Sequence, residues 1–223
     1  MTEETIRRDL DKLEKEGKLL RSHGGAVSIK ETLAETPYTI REVTNMREKQ
    51  AIAVEAVKHI LPMDTIALDA SSTAWYMAKL LPDIPVTVLT NSVKVALELS
   101  PKENIKVIST GGVLSAKSLS YVGLAERALD SYHVHKAFIS GKGAHPQRGI
   151  SETNELQAAL KRKMLSIADE TYLLLDSSKF GMQALAQAAS WEAIHHVITD
   201  AGTGPEWIRQ LQENNVSVTV AGD

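Results

Sequence analysis

Apolar positions fall into two rhythms near the start of the chain. From Thr2 they stand at Ile6, Leu10 and Leu13, the stripe of an amphipathic helix that Gly17 closes as a left-handed cap. "KLLRSHGGAVSI" then switches to two short β-prone runs hinged at His23-Gly24-Gly25, where glycine supplies the positive φ of a tight hairpin. "KETLAETPYTIREVT" has no sustained period and contains Pro37, so it reads as a linker. A second helical stripe, from about Asn45 to Leu61, buries Ile52, Val57 and Ile60 and stops at Pro62.

Beyond Pro62, short apolar runs alternate with amphipathic ones. "TIALDA" leads into "SSTAWYMAKLL", "VTVLT" into "NSVKVALELS", and "IKVISTGG" follows. "KAFISG" precedes a helical "NELQAALKRKMLSIADE", "TYLLLD" precedes a polar stretch, and "HHVITD" precedes "PEWIRQLQE" and a last "VSVTVAG". Runs of four to six β-branched and aliphatic residues between helices predict an α/β domain: a mostly parallel sheet with helices on both faces. The domain organisation expected is therefore a small unit over 1–30, a linker over 31–44 and a main domain over 45–223.

Such sheets bind ligands beyond the carboxyl ends of their strands. There the sequence places Asp69-Ala70-Ser71-Ser72-Thr73, Thr90-Asn91-Ser92, Thr110-Gly111-Gly112, Ser140-Gly141-Lys142-Gly143 and Asp176-Ser177-Ser178-Lys179. Ser71, Ser72 and Thr73 open a helix, where hydroxyls and free N–H groups can hold a phosphate. Lys179 can add positive charge, while Asp69 and Asn91 can bond sugar hydroxyls. Each junction taken singly is equally an ordinary set of helix caps and turn residues. Glu152, Glu155 and Lys161 follow Gly149; Glu155 and Lys161 are candidates either for the same pocket or for a solvated helix face.

Composition narrows the chemistry. The 223 residues contain no cysteine, which removes disulfides, thiolate metal sites and cysteine nucleophiles. No apolar run is long enough for a membrane span and no secretory leader opens the chain, so the expectation is a cytoplasmic protein without membrane contact. Net charge is −3, yet residues 1–30 hold seven Lys/Arg against six Asp/Glu, so contact with nucleic acid would fall to that segment. His133 and His135 alternate as on one strand face, but without partners they are no metal site, and His195-His196 would point to opposite faces. No nucleophile elbow or phosphate-binding Gly-x-x-x-x-Gly-Lys loop is present, and neither a catalytic residue nor a cofactor is expected.

A helix followed by a hairpin is the second half of a winged helix-turn-helix, whose recognition helix enters the major groove. It is also a plausible amphipathic cap on the main domain. The string "TEETIRRDLDKLEKEGKLLRSHGGAV" resembles the recognition helix and wing of the DeoR family of bacterial transcriptional regulators. By that resemblance Thr2, Thr5, Arg7, Arg8, His23 and Gly24 are the DNA-binding candidates. The family's first helices, which support the recognition helix, are not found before this stretch, so a truncated start is expected. "REVTNMREKQAIAVEAV", "ALDASSTAWYMAKLL", "VLTNSVKVALEL", "ISTGGVL", "ISGKG" and "LLLDSSKFG" follow in the order of the family's sensor domain. Lys142 stands where the family often has a small or acidic residue.

That resemblance implies a ribose-5-phosphate isomerase and CoA-transferase type of fold, a phosphorylated-sugar effector, operator DNA as partner and a homo-oligomer. It implies an effector pocket of Asp69, Ser71, Ser72, Thr73, Asn91, Gly111, Gly112 and Lys179, to which Thr90, Gly143, Asp176, Glu152, Glu155 and Lys161 are added as rim candidates. The function expected is repression of a carbohydrate operon. The rival readings are a sugar-phosphate isomerase-like enzyme, for which "SGKG" offers no carboxylate base, and a truncated effector-binding module that does not itself bind DNA.

Overall fold

The computed structural model describes residues 19–22, 25–28 and 35–222, and the chain divides into two compact units between Thr36 and Pro37. In the first unit, β1 (Leu19–Ser22) and β2 (Gly25–Ser28) pair antiparallel with Leu20 opposite Val27 and Ser22 opposite Gly25. This is the hairpin that the alternation predicts. Thr2, Thr5, Arg7, Arg8, His23 and Gly24 lie outside the described residues.

The second unit begins with α1 (Tyr38–Val43) and α2 (Met46–Val57). Then come β3 (Thr65–Leu68), α3 (Ser72–Leu80), β4 (Val86–Thr90), α4 (Val93–Leu99) and β5 (Ile105–Ser109). A small hairpin of β6 (Val113–Ser115) and β7 (Ser120–Val122) leads to α5 (Leu124–Ala128) and β8 (Val134–Ile139). Short strands β9 (Gly143–His145) and β10 (Gly149–Glu152) precede α6 (Glu155–Ser166) and β11 (Ala168–Leu174). The chain finishes with β12 (Ala186–Ala189), β13 (His196–Asp200), α7 (Pro205–Glu213) and β14 (Ser217–Ala221).

Seven strands form one parallel sheet in the order β14-β13-β11-β8-β3-β4-β5, and β12-β10-β9 make a separate antiparallel sheet. Side chains alternate across a strand, so a sheet covered on both sides must split its apolar residues between two cores. It does: Ile66, Leu68, Val88, Phe138, Tyr172, Leu174 and Ile198 join one cluster with Ile52 and Ala56 of α2 and Met77 of α3. Ala67, Leu89, Ala137, Ile139, Leu173 and Val197 join the other with Leu160 and Met164 of α6. From β3 the chain winds outward through β4 to β5, and from β8 the other way through β11 to β13 and β14. The reversal lies between β3 and β8, where a parallel sheet opens a crevice at its carboxyl edge.

Two sequence expectations are corrected. Tyr38–Val43, placed in the linker, is a helix tied to the second unit: Tyr38 N–H donates to the Lys117 carbonyl at 2.9 Å and Tyr76 Oη to the Glu42 carbonyl at 2.8 Å. The helix expected through residue 170 ends at Ser166, because Ala168 to Leu173 pair in register with Val134 to Ile139 of β8. The pairs Asp169 and Glu170, which suggest a helix exterior, are the exposed start of that strand. On α3, Tyr76 and Met77 are buried, and the Trp75 indole donates to Glu98 at 3.0 Å. Among the described residues, no helix is long and apolar enough to cross a membrane and no cluster of His, Asp and Glu is suited to a metal ion.

Candidate functional site

Asp69 leaves β3 at the sheet's reversal point. It is 1% exposed, and its Oδ1 accepts the Ser71 N–H at 3.0 Å while Oδ2 accepts the Ser140 N–H, just past β8, at 2.9 Å. One carboxylate thus clamps the two central strands at the mouth of the crevice. Lys161, reaching up from α6, lies 3.0 Å from Asp69 Oδ2, donates to the Ser140 carbonyl at 2.6 Å and pairs with Glu152 of β10. Burial pulls the Lys161 ammonium down, but Asp69 and Glu152 outweigh it and hold its pKa above the usual lysine value. The three groups form a floor in which one ammonium is shared by two carboxylates.

Above the floor the serines divide their work. Ser71 Oγ caps α3 by accepting the Ala74 N–H at 3.0 Å, and Ser92 Oγ caps α4 through Val95 N–H at 3.2 Å. Thr90 Oγ1 accepts the Ser92 N–H at 3.0 Å. The cap explanation therefore holds for these hydroxyls. It does not exhaust the junction, because a helix's first N–H groups have no intrahelical acceptor, and Ser72 and Thr73 supply such groups at the start of α3.

A group of cations gathers at the same edge. Lys49, 4% exposed on α2, donates to the Arg41 and Thr44 carbonyls, both at 2.6 Å. Its pKa is pulled to about 8, first by burial and then by the charge of Lys179. Lys142 is lowered for the same reasons in the same order, and Arg41 adds to the repulsion on both lysines. Asp176, buried at the end of β11, opposes them; it accepts from Asn45 Nδ2 at 2.9 Å and from the Ser178 hydroxyl. Asn45 sits at φ 50°, ψ 44° to present that amide from the start of α2. Ser72 Oγ donates to the Arg41 carbonyl at 3.1 Å, so α1, α3 and α2 meet at one main-chain oxygen.

Polar atoms nearby lack partners. Among the described residues, Arg41 Nε, the Tyr38 hydroxyl, Asn91 Oδ1 and Glu42 Oε2 are buried without a hydrogen bond, although Glu42 Oε2 pairs with Lys94 at 3.1 Å and Asn91 Nδ2 donates to the Tyr121 carbonyl at 3.0 Å. Buried polar groups are normally satisfied, so these exceptions make the rim a candidate site for a polar ligand.

The sequence candidates separate accordingly. Asp69, Glu152 and Lys161 meet in the floor, Asp176 and Lys179 belong to the charged rim, and Ser71, Ser72, Thr73, Thr90 and Asn91 line the βα junctions between them. Gly112 and Gly143 are there for close packing: a Cβ on the first would stand 2.8 Å from the Val122 carbonyl oxygen, and on the second 2.4 Å from that of Met182. Gly111 turns the chain at φ 61° toward β6. Glu155 is not brought to the rim; it is exposed and borders a separate cleft with Leu156 and Arg162. Reading the strand ends alone does not reach Arg41, Asn45 or Lys49, which lie before β3. For Lys49 a signal existed, since it falls on the stripe with Ile52, Ala53 and Ala56.

The histidines make local contacts. His133 pairs with Asp169 at 3.0 Å, His135 accepts the Thr65 N–H at 3.0 Å, and His195 accepts the Thr171 N–H at 3.1 Å while His196 stacks on Tyr172 at 4.6 Å.

Comparison with known proteins adds the following. The family described as the DeoR C terminal sensor domain matches residues 44–201, and the DeoR-like helix-turn-helix domain matches residues 1–32. The HTH-type transcriptional regulator YulB of Bacillus subtilis (strain 168) is 56% identical over 98% of this chain and 85% of its own. The L-fucose operon activator of Haemophilus influenzae is 42% identical over 97% of this chain and 87% of its own. Among solved structures, ribose 5-phosphate isomerase A of Methanocaldococcus jannaschii matches 61% of this chain and 55% of that one at 20% identity, with a TM-score of 0.47.

Proposed function

Because the chain belongs to the DeoR family of transcriptional regulators, we propose that it regulates a carbohydrate operon by binding a phosphorylated sugar at the carboxyl edge of the seven-stranded sheet. The observation that carries this reading is the clustering of Arg41, Lys49, Lys142 and Lys179, close enough to repel one another, with the Arg41 carbonyl bonded to Ser72 at the start of α3 and, among the described residues, buried polar atoms on Arg41, Tyr38 and Asn91 without partners. The phosphate takes the cations and the N–H groups of Ser72 and Thr73; the sugar hydroxyls meet Asn91 and Asp176. The Haemophilus relative carries an activator's name, so the proposal covers regulation of either sign.

An isomerase reading is disfavoured by the floor. Such chemistry needs a carboxylate free to take a carbon-bound proton. Glu152 and Asp69 are both committed to Lys161, and Asp69 also to two backbone N–H groups. We read the site as one that binds and does not turn over.

A panel of sugar phosphates assayed by thermal shift tests this. A ligand present at a hundred times its Kd is expected to stabilise the protein by about 2.7 kcal/mol, and product formation should be absent. A panel without a stabiliser, or measured turnover, sinks the reading.

The pH dependence of that binding follows from Lys49. Its folded-state pKa of about 8 lies below the ordinary 10.5, so the unliganded fold opposes its charge, and this penalty is relieved as pH rises from 8 toward 10.5. A bound anion reverses the preference and favours the ammonium. Affinity is therefore expected to be flat from about pH 7, above the second phosphate pKa of about 6, to about pH 8 and to fall by up to about tenfold per pH unit beyond it, with proton uptake on binding near pH 8. Calorimetry in buffers of different ionisation enthalpy measures both; unchanged affinity up to pH 10 would place Lys49 outside the anion's field.

A further inference from the structure

Polar tethers hold α1 in place, with little help from apolar packing. A helix of six residues is too short to persist by itself and depends on what it docks against. Of its side chains only Tyr38 is buried, while Ile40 and Val43 are 52% and 67% exposed. The ties run to main-chain groups. The Tyr76 hydroxyl of α3 donates to the Glu42 carbonyl at 2.8 Å, Ser72 Oγ to the Arg41 carbonyl at 3.1 Å, and Lys49 Nζ to the Arg41 and Thr44 carbonyls. At the other end the Tyr38 N–H donates to Lys117 in the β6–β7 turn. Among the described residues, the buried side-chain atoms without a hydrogen bond are Asn91 Oδ1 and three on this helix: Tyr38 Oη, Arg41 Nε and Glu42 Oε2.

We infer that α1 is a strap ordered by the ligand, open for part of the time in the empty protein and held docked when an anion fills the rim, and that Tyr76 is the residue that positions Arg41 through it. The inference rests on the anion site proposed above. Segments with few apolar contacts open locally at the least cost. Two groups assigned to the anion are also parts of the strap's attachment: Arg41 lies within α1, and the Lys49 ammonium bonds two of its carbonyls. In the empty protein burial and Lys179 work against that ammonium. A bound anion favours the charged form, which firms the hold on the Arg41 and Thr44 carbonyls, and it gives Arg41 Nε the acceptor that it lacks. The chain enters the second unit at Pro37, directly before α1, so a change in the strap reaches the preceding residues by covalent continuity.

Hydrogen exchange on the whole chain, followed on peptides covering residues 38–44, tests the strap. The probes are inorganic phosphate, with chloride at equal ionic strength as the control, and the strongest stabiliser of the sugar-phosphate panel. Each should slow exchange in α1 by about tenfold or more at saturation. Tyr76→Phe keeps the ring and removes the tether to Glu42. Without an anion its α1 should exchange about 3- to 10-fold faster than wild type, the effect of one hydrogen bond. Leu173 of β11, paired on both sides within the sheet, should exchange as before, which separates local opening from global unfolding. Affinity for the stabiliser should fall severalfold in the variant, because closing the strap then draws on more of the binding energy, and saturation should restore protection. A compound that raises the melting temperature but leaves α1 exchange unchanged overturns the strap alone. Unaltered α1 exchange or unaltered affinity in Tyr76→Phe removes Tyr76 as the positioning residue. Probes that neither stabilise the protein nor protect α1 overturn the anion site, and the strap with it.

Discussion

Lys161→Met is expected to lower unfolding stability by about 3–5 kcal/mol, the usual cost of removing one partner from a buried ion pair. The volume change is small, so the loss is electrostatic. Asp69, 1% exposed, and Glu152 would lose their shared cation, and the Ser140 carbonyl would lose its 2.6 Å donor. Asp69 would be left with the Ser71 and Ser140 N–H groups as its donors. Urea unfolding should show a lower midpoint with an unchanged slope, since the native surface is kept. The pH profile is a second check. The folded-state pKa of Lys161 is raised above 10.5, so its contribution is fully present below that value and is lost only as pH climbs beyond it. The difference between variant and wild type should thus stay level from about pH 6 to pH 9. A loss under about 1 kcal/mol would mean that Asp69 is held by its backbone donors alone.

Lys161 also shows what could and could not be read from the chain. The β/α alternation gave the parallel sheet because each long strand carries enough branched apolar residues to show its period. Strands β9, β10 and β12 hold three or four residues each, too few for any period, and their pairing is made by partners distant in sequence. The carboxyl-edge rule leads directly to Asp69 and Asp176, while the sequence leaves Lys161 open between the pocket and a solvated helix face. Its position with Ala158 and Leu165 on the buried side of α6 distinguishes the two readings, as Lys49 does beside Ile52 on α2. A lysine on an apolar stripe must have a buried partner, since an unpaired ammonium there is too costly. That inference needs only the sequence; the partner's name needs the fold, because Asp69 is 92 residues away. Arg41 gave no such signal, since the segment around it has too few apolar positions to reveal a helix of six residues.

Lys179→Glu should separate ligand binding from stability. In the unliganded protein Lys179 repels Lys49 and Lys142; it is the largest charge acting on each. Reversing it removes that repulsion and supplies a counter-charge, so the Lys49 pKa should rise from about 8 toward 10.5 and the unliganded fold should hold or gain stability. Asp176 limits the gain, because it already balances part of the cluster and would repel the new carboxylate. For the phosphorylated ligand the outcome is opposite. One charge-assisted hydrogen bond, worth about 1.5–3 kcal/mol, is lost, so affinity should fall at least 10- to 150-fold, with like-charge repulsion adding to the loss. The melting temperature without ligand should therefore stay level or rise while the sugar-phosphate shift disappears. A variant that melts early would show that Lys179 is a structural partner of Asp176. One that keeps the full shift would move the phosphate away from this rim, and with it the reason for gathering these four cations. A site kept strained by like charges until an anion arrives differs in stability between its empty and filled states, and that difference is what a sensor needs to bias the rest of the chain.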